Sequence, residues 1–132
     1  MNKKATKQNI KSANWWHVDV DPRPGKNLDE ERERMLLGIV DFAMQPSIVV
    51  DSGGGYQVLW KHADPTPING DARLAAQVET YNRALARHLD GDIACANVDR
   101  LLRLPGTINF PNEKKRKLGR VPALSRLVEC HV

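Results

Sequence analysis

Asp19 and Asp21 stand two residues apart in the run Trp15-Trp16-His17-Val18-Asp19-Val20-Asp21-Pro22. Side chains on an extended strand alternate between its faces, which puts His17, Asp19 and Asp21 on one side and Val18 and Val20 on the other. The valine face reads as core. Two carboxylates held this close repel, so one takes up a proton unless a cation neutralises the pair. Such oxygen ligands suit Mg²⁺ or Mn²⁺, ions that often complete their shells with substrate phosphates. The plainer alternative is a solvated strand end, or a turn in which Asp21 caps the loop that Pro22 opens.

Two other stretches invite a phosphate. In Ser52-Gly53-Gly54-Gly55 the glycines let backbone amides approach a ligand with no side chain in the way. The stretch lacks the Lys and Ser/Thr of a P-loop and opens no helix, so a simple hairpin turn competes with phosphate binding. Further on, Asp92 precedes Arg100 and Arg103, which interrupt the apolar Leu101, Leu102 and Leu104 before the turn Pro105-Gly106-Thr107. An unpaired guanidinium is costly to bury. These arginines therefore pair with local acids such as Asp99 or face a ligand phosphate. Pairing competes most strongly at Arg100; Arg103 is assigned to the ligand.

The elements that must position these residues follow from periodicity and breakers. Residues 1–13 are polar and lysine-rich, with Lys3, Lys4, Lys7 and Lys11, and are expected to form a disordered basic tail. A strand is predicted at 14–21 and a helix at 28–44, started by a capping box of Asn27 and Glu30, with Met35, Leu36, Ile39, Val40 and Ala43 at helical spacing. Strands at 47–51 and 56–62 flank the glycine turn as a hairpin. A second helix at 71–89 carries the stripe Leu74, Val78, Tyr81, Leu85 and Leu89, and Gly91 stops it. A small segment at 92–98 leads to a strand at 100–107. The order β-α-β-β-α-β implies an α/β (α+β) fold, a mixed and largely antiparallel sheet with helices on one face.

Composition narrows the function. The 132 residues are enough for one domain, and the net charge of +4 leans towards an anionic partner. Lys114, Lys115, Arg116, Lys117 and Arg120 form the denser basic cluster, in an exposed loop after Pro111 and Asn112. The two cysteines, Cys95 and Cys130, lie far apart, with no CxxC pairing and no nearby histidine set, so they suggest neither a disulfide framework nor a zinc site. No apolar run approaches membrane-spanning length and no secretory signal is evident, which reads as a cytoplasmic protein with no membrane partner.

Taken together, Val-Asp-Val-Asp-Pro, Ser-Gly-Gly-Gly-Tyr-Gln-Val-Leu-Trp and Gly-Asp followed by Arg-Leu-Leu-Arg-Leu-Pro-Gly-Thr-Ile-Asn resemble the three motifs of archaeo-eukaryotic-type primases. Similarity is greatest to the RepB-like primase domains of plasmids and phages. The resemblance covers most of residues 15–120 and implies an RRM-like primase core over 14–132, in a minimal or truncated form. It implies that Asp19, Asp21 and Asp92 bind the catalytic Mg²⁺ or Mn²⁺, with Asp99 as second choice for the third acid. His17 is expected to support a carboxylate rather than to ligate.

By the same resemblance, Ser52, Gly53, Gly54, Gly55, Gln57, Lys61 and Arg103 bind the nucleotide. Gln57 stands where many primases have histidine; it can hydrogen-bond a phosphate or sugar but supplies no positive charge. The Lys114–Arg120 segment is expected to hold the template backbone without reading bases. The implied activity is that of a DNA primase or primase-polymerase, a metal-dependent nucleotidyltransferase making primers on single-stranded DNA from nucleoside triphosphates. A replicative helicase or other replication protein is a further expected partner. The competing reading is a non-catalytic, primase-like nucleic-acid-binding domain.

Overall fold

The computed structural model describes Lys3–His131; Met1, Asn2 and Val132, the outer ends of the two expected segments, lie outside the described residues. Strands β1 (Ser12–Val20), β2 (Ile48–Asp51), β3 (Tyr56–Pro67) and β6 (Arg126–Cys130) form one sheet in the order β1-β3-β2-β6. Every pairing in it is antiparallel. A small ribbon joins β4 (Ile108–Asn109) to β5 (Ala123–Leu124). Helices α1 (Leu28–Asp41) and α2 (Ala72–Leu89) cover one sheet face, and a short helix α3 (Glu113–Lys117) stands in the basic segment.

Alternation explains the two faces. Val18, Val20, Val49, Tyr56, Val58 and Trp60 point to the helices, where they meet Met35 and Ile39 of α1 and Leu85, Ala86 and Leu89 of α2. Each such side chain contributes roughly 1.5–3 kcal/mol by leaving water. The residues between them, His17 and Asp19 on β1 and Gln57, Leu59 and Lys61 on β3, point to the opposite face, which carries no long helix. The register sets Asp19 opposite Gln57 and Trp15 opposite Lys61.

Asn27 caps α1 by accepting from the Glu30 N–H at 3.1 Å, one half of the expected capping box. The helix ends at Asp41 rather than 44. In α2 the buried face includes Glu79 and Asn82, while Tyr81 of the expected stripe is exposed and Leu74 only half-buried. The buried polar pair has a purpose. Asn82 accepts from the His17 backbone N–H at 3.0 Å and donates to the Ala96 carbonyl at 3.0 Å, and Glu79 accepts from the Val98 N–H at 3.0 Å. They close the outer edge of β1 and fasten the 96–98 loop beside it.

Three further segments differ from the sequence reading. Part of the expected tail is packed: Lys7–Asn9 forms a 3₁₀ turn, Ile10 and Ala13 pack against Ile68, Ala75 and Val78, and Lys7 pairs with Glu79 at 2.9 Å. β3 runs on through Pro65 and Pro67, because beyond Leu59 its β2 side is unpaired and a missing N–H there costs nothing. The expected strand at 100–107 is irregular chain, with strand structure only at Ile108–Asn109. Leu101 and Leu104 are 73% and 69% exposed, since Leu-Leu-Arg-Leu has no two-residue alternation to bury one face. The sheet's fourth strand is β6 instead.

Candidate active site

The open sheet face, the 92–109 segment and α3 enclose a cleft of about 620 Å³. Asp19, Asp21, Ser52, Gln57 and Asp92 line it together with Arg100, Arg103, Thr107, Asn109 and Lys115. The cleft therefore brings acids from β1 together with cations carried by the chain that crosses the sheet.

Asp19 is half-buried and Asp21 exposed. Among the described residues the acids held in ion pairs are Glu31, Asp51, Glu79, Asp90, Asp99, Glu113 and Glu129, which leaves Asp19 and Asp21 outside every such pair. Burial, and next the Asp21 carboxylate, push Asp19 up to about 6; Arg100 pulls the other way, Asp92 adds to the rise and Lys115 opposes it. Two neighbouring carboxylates held outside every ion pair in this way fit a hard divalent cation.

Asp92 reaches the same cleft because its backbone N–H donates to the Asp19 carbonyl at 2.8 Å. Gly91 permits that approach: a Cβ there would lie 2.6 Å from Val18 Cγ1 and 3.0 Å from the Asp19 carbonyl. The Asp92 carboxylate, however, caps its own 3₁₀ turn. Oδ1 accepts from the Ala94 N–H at 2.9 Å and Oδ2 from the Cys95 thiol at 3.2 Å. Among the described residues no three His, Cys, Asp or Glu side chains form a ready-made metal cage. Asp99 does not line the cleft; Asn97 donates to it at 2.8 Å and Lys4 pairs with it at 3.4 Å. Burial, then the bond to Asp92, push the Cys95 thiol up to about 12, so it is not a nucleophile at neutral pH.

His17 is locked between two partners. Nε2 lies 2.9 Å from the Cys95 carbonyl, to which it donates, while Nδ1 faces the Asn82 amide at 3.4 Å. Burial lowers its pKa, which favours the neutral ring this pattern requires. It holds the 95–96 turn and leaves no nitrogen free for a metal.

The glycine hairpin is fastened from behind by α1. Arg32 pairs with Asp51, donates to the Gly53 carbonyl at 3.2 Å and lies over the Tyr56 ring at 5.2 Å. The Ser52 N–H donates to the Gly55 carbonyl at 3.0 Å and the Gly53 N–H to Asp51 at 2.9 Å, so two of the hairpin amides are used internally. Ser52 lines the cleft; Gly53, Gly54 and Gly55 do not. Gly55 is forced by crowding, since a Cβ there would fall 2.0 Å from the Val20 carbonyl. Arg120 packs its guanidinium over Gly54, closing the hairpin's outer side.

Gln57 turns inward and accepts from the Arg103 backbone N–H at 3.0 Å, fixing where that arginine enters the cleft. Lys61 is exposed two residues beyond Leu59 and outside the cleft. Of the basic segment only Lys115 lines the cleft; Lys114, Arg116, Lys117 and Arg120 do not. Arg100 is the residue sequence reasoning set aside. Its pairing with Asp99 does not form, and it lines the cleft facing Asp19. The available signal was its three-residue spacing from Arg103 across the apolar run.

Residues 2–131 match the RepB DNA-primase N-terminal domain family. The chain belongs to that family. A solved structure, the AEP domain of the cyanophage S-2L primase-polymerase, superposes with a TM-score of 0.62 at 15% identity, covering 95% of this chain and 56% of that one. The RepB-type domain thus shares an archaeo-eukaryotic primase fold while spanning little more than half the length of that AEP-domain chain. No curated protein matches the chain significantly. Among the described residues no helix is long and apolar enough to cross a membrane.

Proposed function

We propose that this RepB-type domain is a metal-dependent nucleotidyltransferase that makes primers on single-stranded DNA, in the cytoplasm and in plasmid or phage replication. One observation carries the reading: Asp19 and Asp21, in no ion pair among the described residues, line a cleft that Arg100, Arg103 and Lys115 also line. Carboxylates and cations sharing one cleft suit a metal-bound triphosphate. Asp19 and Asp21 would hold Mg²⁺ or Mn²⁺, with Asp92 as third ligand once its carboxylate leaves the turn. When bound, the ions supply charge neutralisation for the 3′-hydroxyl and the pyrophosphate leaving group.

The chain's own residues supply the remainder. Arg103 and Arg100 take phosphate oxygens, Gln57 keeps Arg103 in place, and Ser52 closes the glycine hairpin, its hydroxyl donating to the Gly55 carbonyl at 3.1 Å. Gly53, Gly54 and Gly55 serve by letting β1 and the hairpin close together. Lys61, Lys114, Lys115, Arg116, Lys117 and Arg120 serve the template backbone. A replicative helicase is the natural partner of such an activity. The test is divalent-metal-dependent primer synthesis on single-stranded DNA with Asp19→Ala as control.

The engaged Asp92 carboxylate favours one second reading, a non-catalytic primase-like domain that binds nucleic acid. It predicts single-strand binding with no nucleotide incorporation under any divalent metal.

A further inference from the structure

The cleft continues along β1 beyond His17. A second trough of about 240 Å³ shares Arg100 and Leu102 with the acid cleft and has Trp15 and Leu59 in its walls. Trp15 is half-exposed on the open sheet face, four residues and about 13 Å of strand from Asp19. It packs in neither core cluster, whereas its neighbour Trp16 contacts both and stacks with His62 and Tyr81. Directly opposite Trp15 stands the exposed Lys61. Directly opposed residues share a face, so Trp15 and Lys61 project from the same side of the sheet, with Trp15 in the trough's wall and Lys61 outside its lining.

We propose that Trp15 and Lys61 form a base-stacking subsite for the single-stranded DNA template, extending the acid cleft past Arg100. The inference rests on the reading of the domain as a primer-synthesising enzyme. An aromatic face accepts any base, and an adjacent cation takes the phosphate beside it, which is the chemistry of sequence-tolerant single-strand binding. The cations near the acids gather at the other end of the face, where a triphosphate belongs. Trp15 is too far along the strand to serve those phosphates. A polynucleotide crossing the open face meets both ends.

The experiment measures binding of a fluorescein-labelled oligothymidylate by anisotropy, and of a nucleoside triphosphate by calorimetry, on the intact chain. Trp15→Leu, which keeps an apolar side chain but removes the π face, should weaken oligonucleotide binding about tenfold. Trp15→Phe should recover most of that loss, and triphosphate affinity should stay within twofold in both. Lys61→Ala, at an exposed position whose loss the fold tolerates, should lower the salt slope by about 0.7. Unchanged oligonucleotide binding in Trp15→Leu and an unchanged slope in Lys61→Ala would overturn the subsite and leave the primer-synthesis reading intact. A parallel loss of triphosphate affinity would overturn it too, by assigning the indole to the nucleotide. Absence of single-strand binding by the wild type would remove both readings together.

Discussion

The Gln57 side-chain oxygen accepts the Arg103 backbone N–H at 3.0 Å, tying the central strand of the sheet to the irregular segment that roofs the cleft. With Leu101 and Leu104 exposed, little apolar burial holds that segment, so this bond fixes where the Arg103 side chain starts. Gln57→Met keeps the length and removes the acceptor. We expect a loss of about 1 kcal/mol in stability and a five- to tenfold weaker nucleoside triphosphate affinity by calorimetry.

Arg103→Ala removes the cation itself. Losing one charge-assisted phosphate contact should cost on the order of 1.5–3 kcal/mol of triphosphate binding, with an unchanged melting temperature. Equal binding by mutant and wild type would reassign the arginine.

Asp19 gives a prediction with a defined pH window. Its folded-state pKa is raised from 3.8 to about 6, so the folded chain holds the proton more tightly than the unfolded chain and stability falls as pH rises between those values. Asp19→Asn should therefore stabilise the metal-free protein by about 1–2 kcal/mol at neutral pH, a part of what the shift is worth at about 1.4 kcal/mol per unit. The gain should shrink towards zero as pH falls through the window. Mg²⁺ should narrow the difference by stabilising only the wild type. Urea titrations across pH, with and without Mg²⁺, measure both effects.

Glu31 titrates in the opposite sense. Hydrogen bonds from Arg23 and then Arg34 hold its carboxyl well below the usual range. Its stabilising contribution should be complete at neutral pH, begin to fade below the ordinary value of 4.5, and be lost only as pH falls through its own much lower value. Glu31→Gln should lower the melting temperature at pH 7 by several degrees and approach the wild type in strong acid. A constant difference across that range would contradict the assignment.

The acid-bearing face of β1 was legible because alternation in His17-Val18-Asp19-Val20 fixes which side chains share a face, and burial of the valines leaves the acids nowhere else to point. The hairpin and both long helices were legible for the same reason. The 100–107 segment was not, because it is held by single hydrogen bonds such as Gln57 to Arg103, which leave no periodic trace. β6 escaped notice for a related cause: Leu127 and Val128 are half-exposed on an edge strand, with no buried alternation to mark them. In α2, an apolar stripe drawn through Tyr81 missed Asn82 and Glu79, whose burial is explained only by backbone groups on β1 and the 96–98 loop. Arg100 stayed open between Asp99 and a ligand because proximity in sequence says nothing of direction once the chain leaves regular structure.

The central claim is that Asp19 and Asp21 form a cation site the fold leaves open. Mn²⁺ titration followed by electron paramagnetic resonance, with a nucleoside triphosphate present, tests it most directly. The account predicts protein-bound Mn²⁺ in the wild type and its loss in Asp19→Asn/Asp21→Asn, with the fold unchanged by circular dichroism. Mn²⁺ bound equally well by the double variant would contradict it.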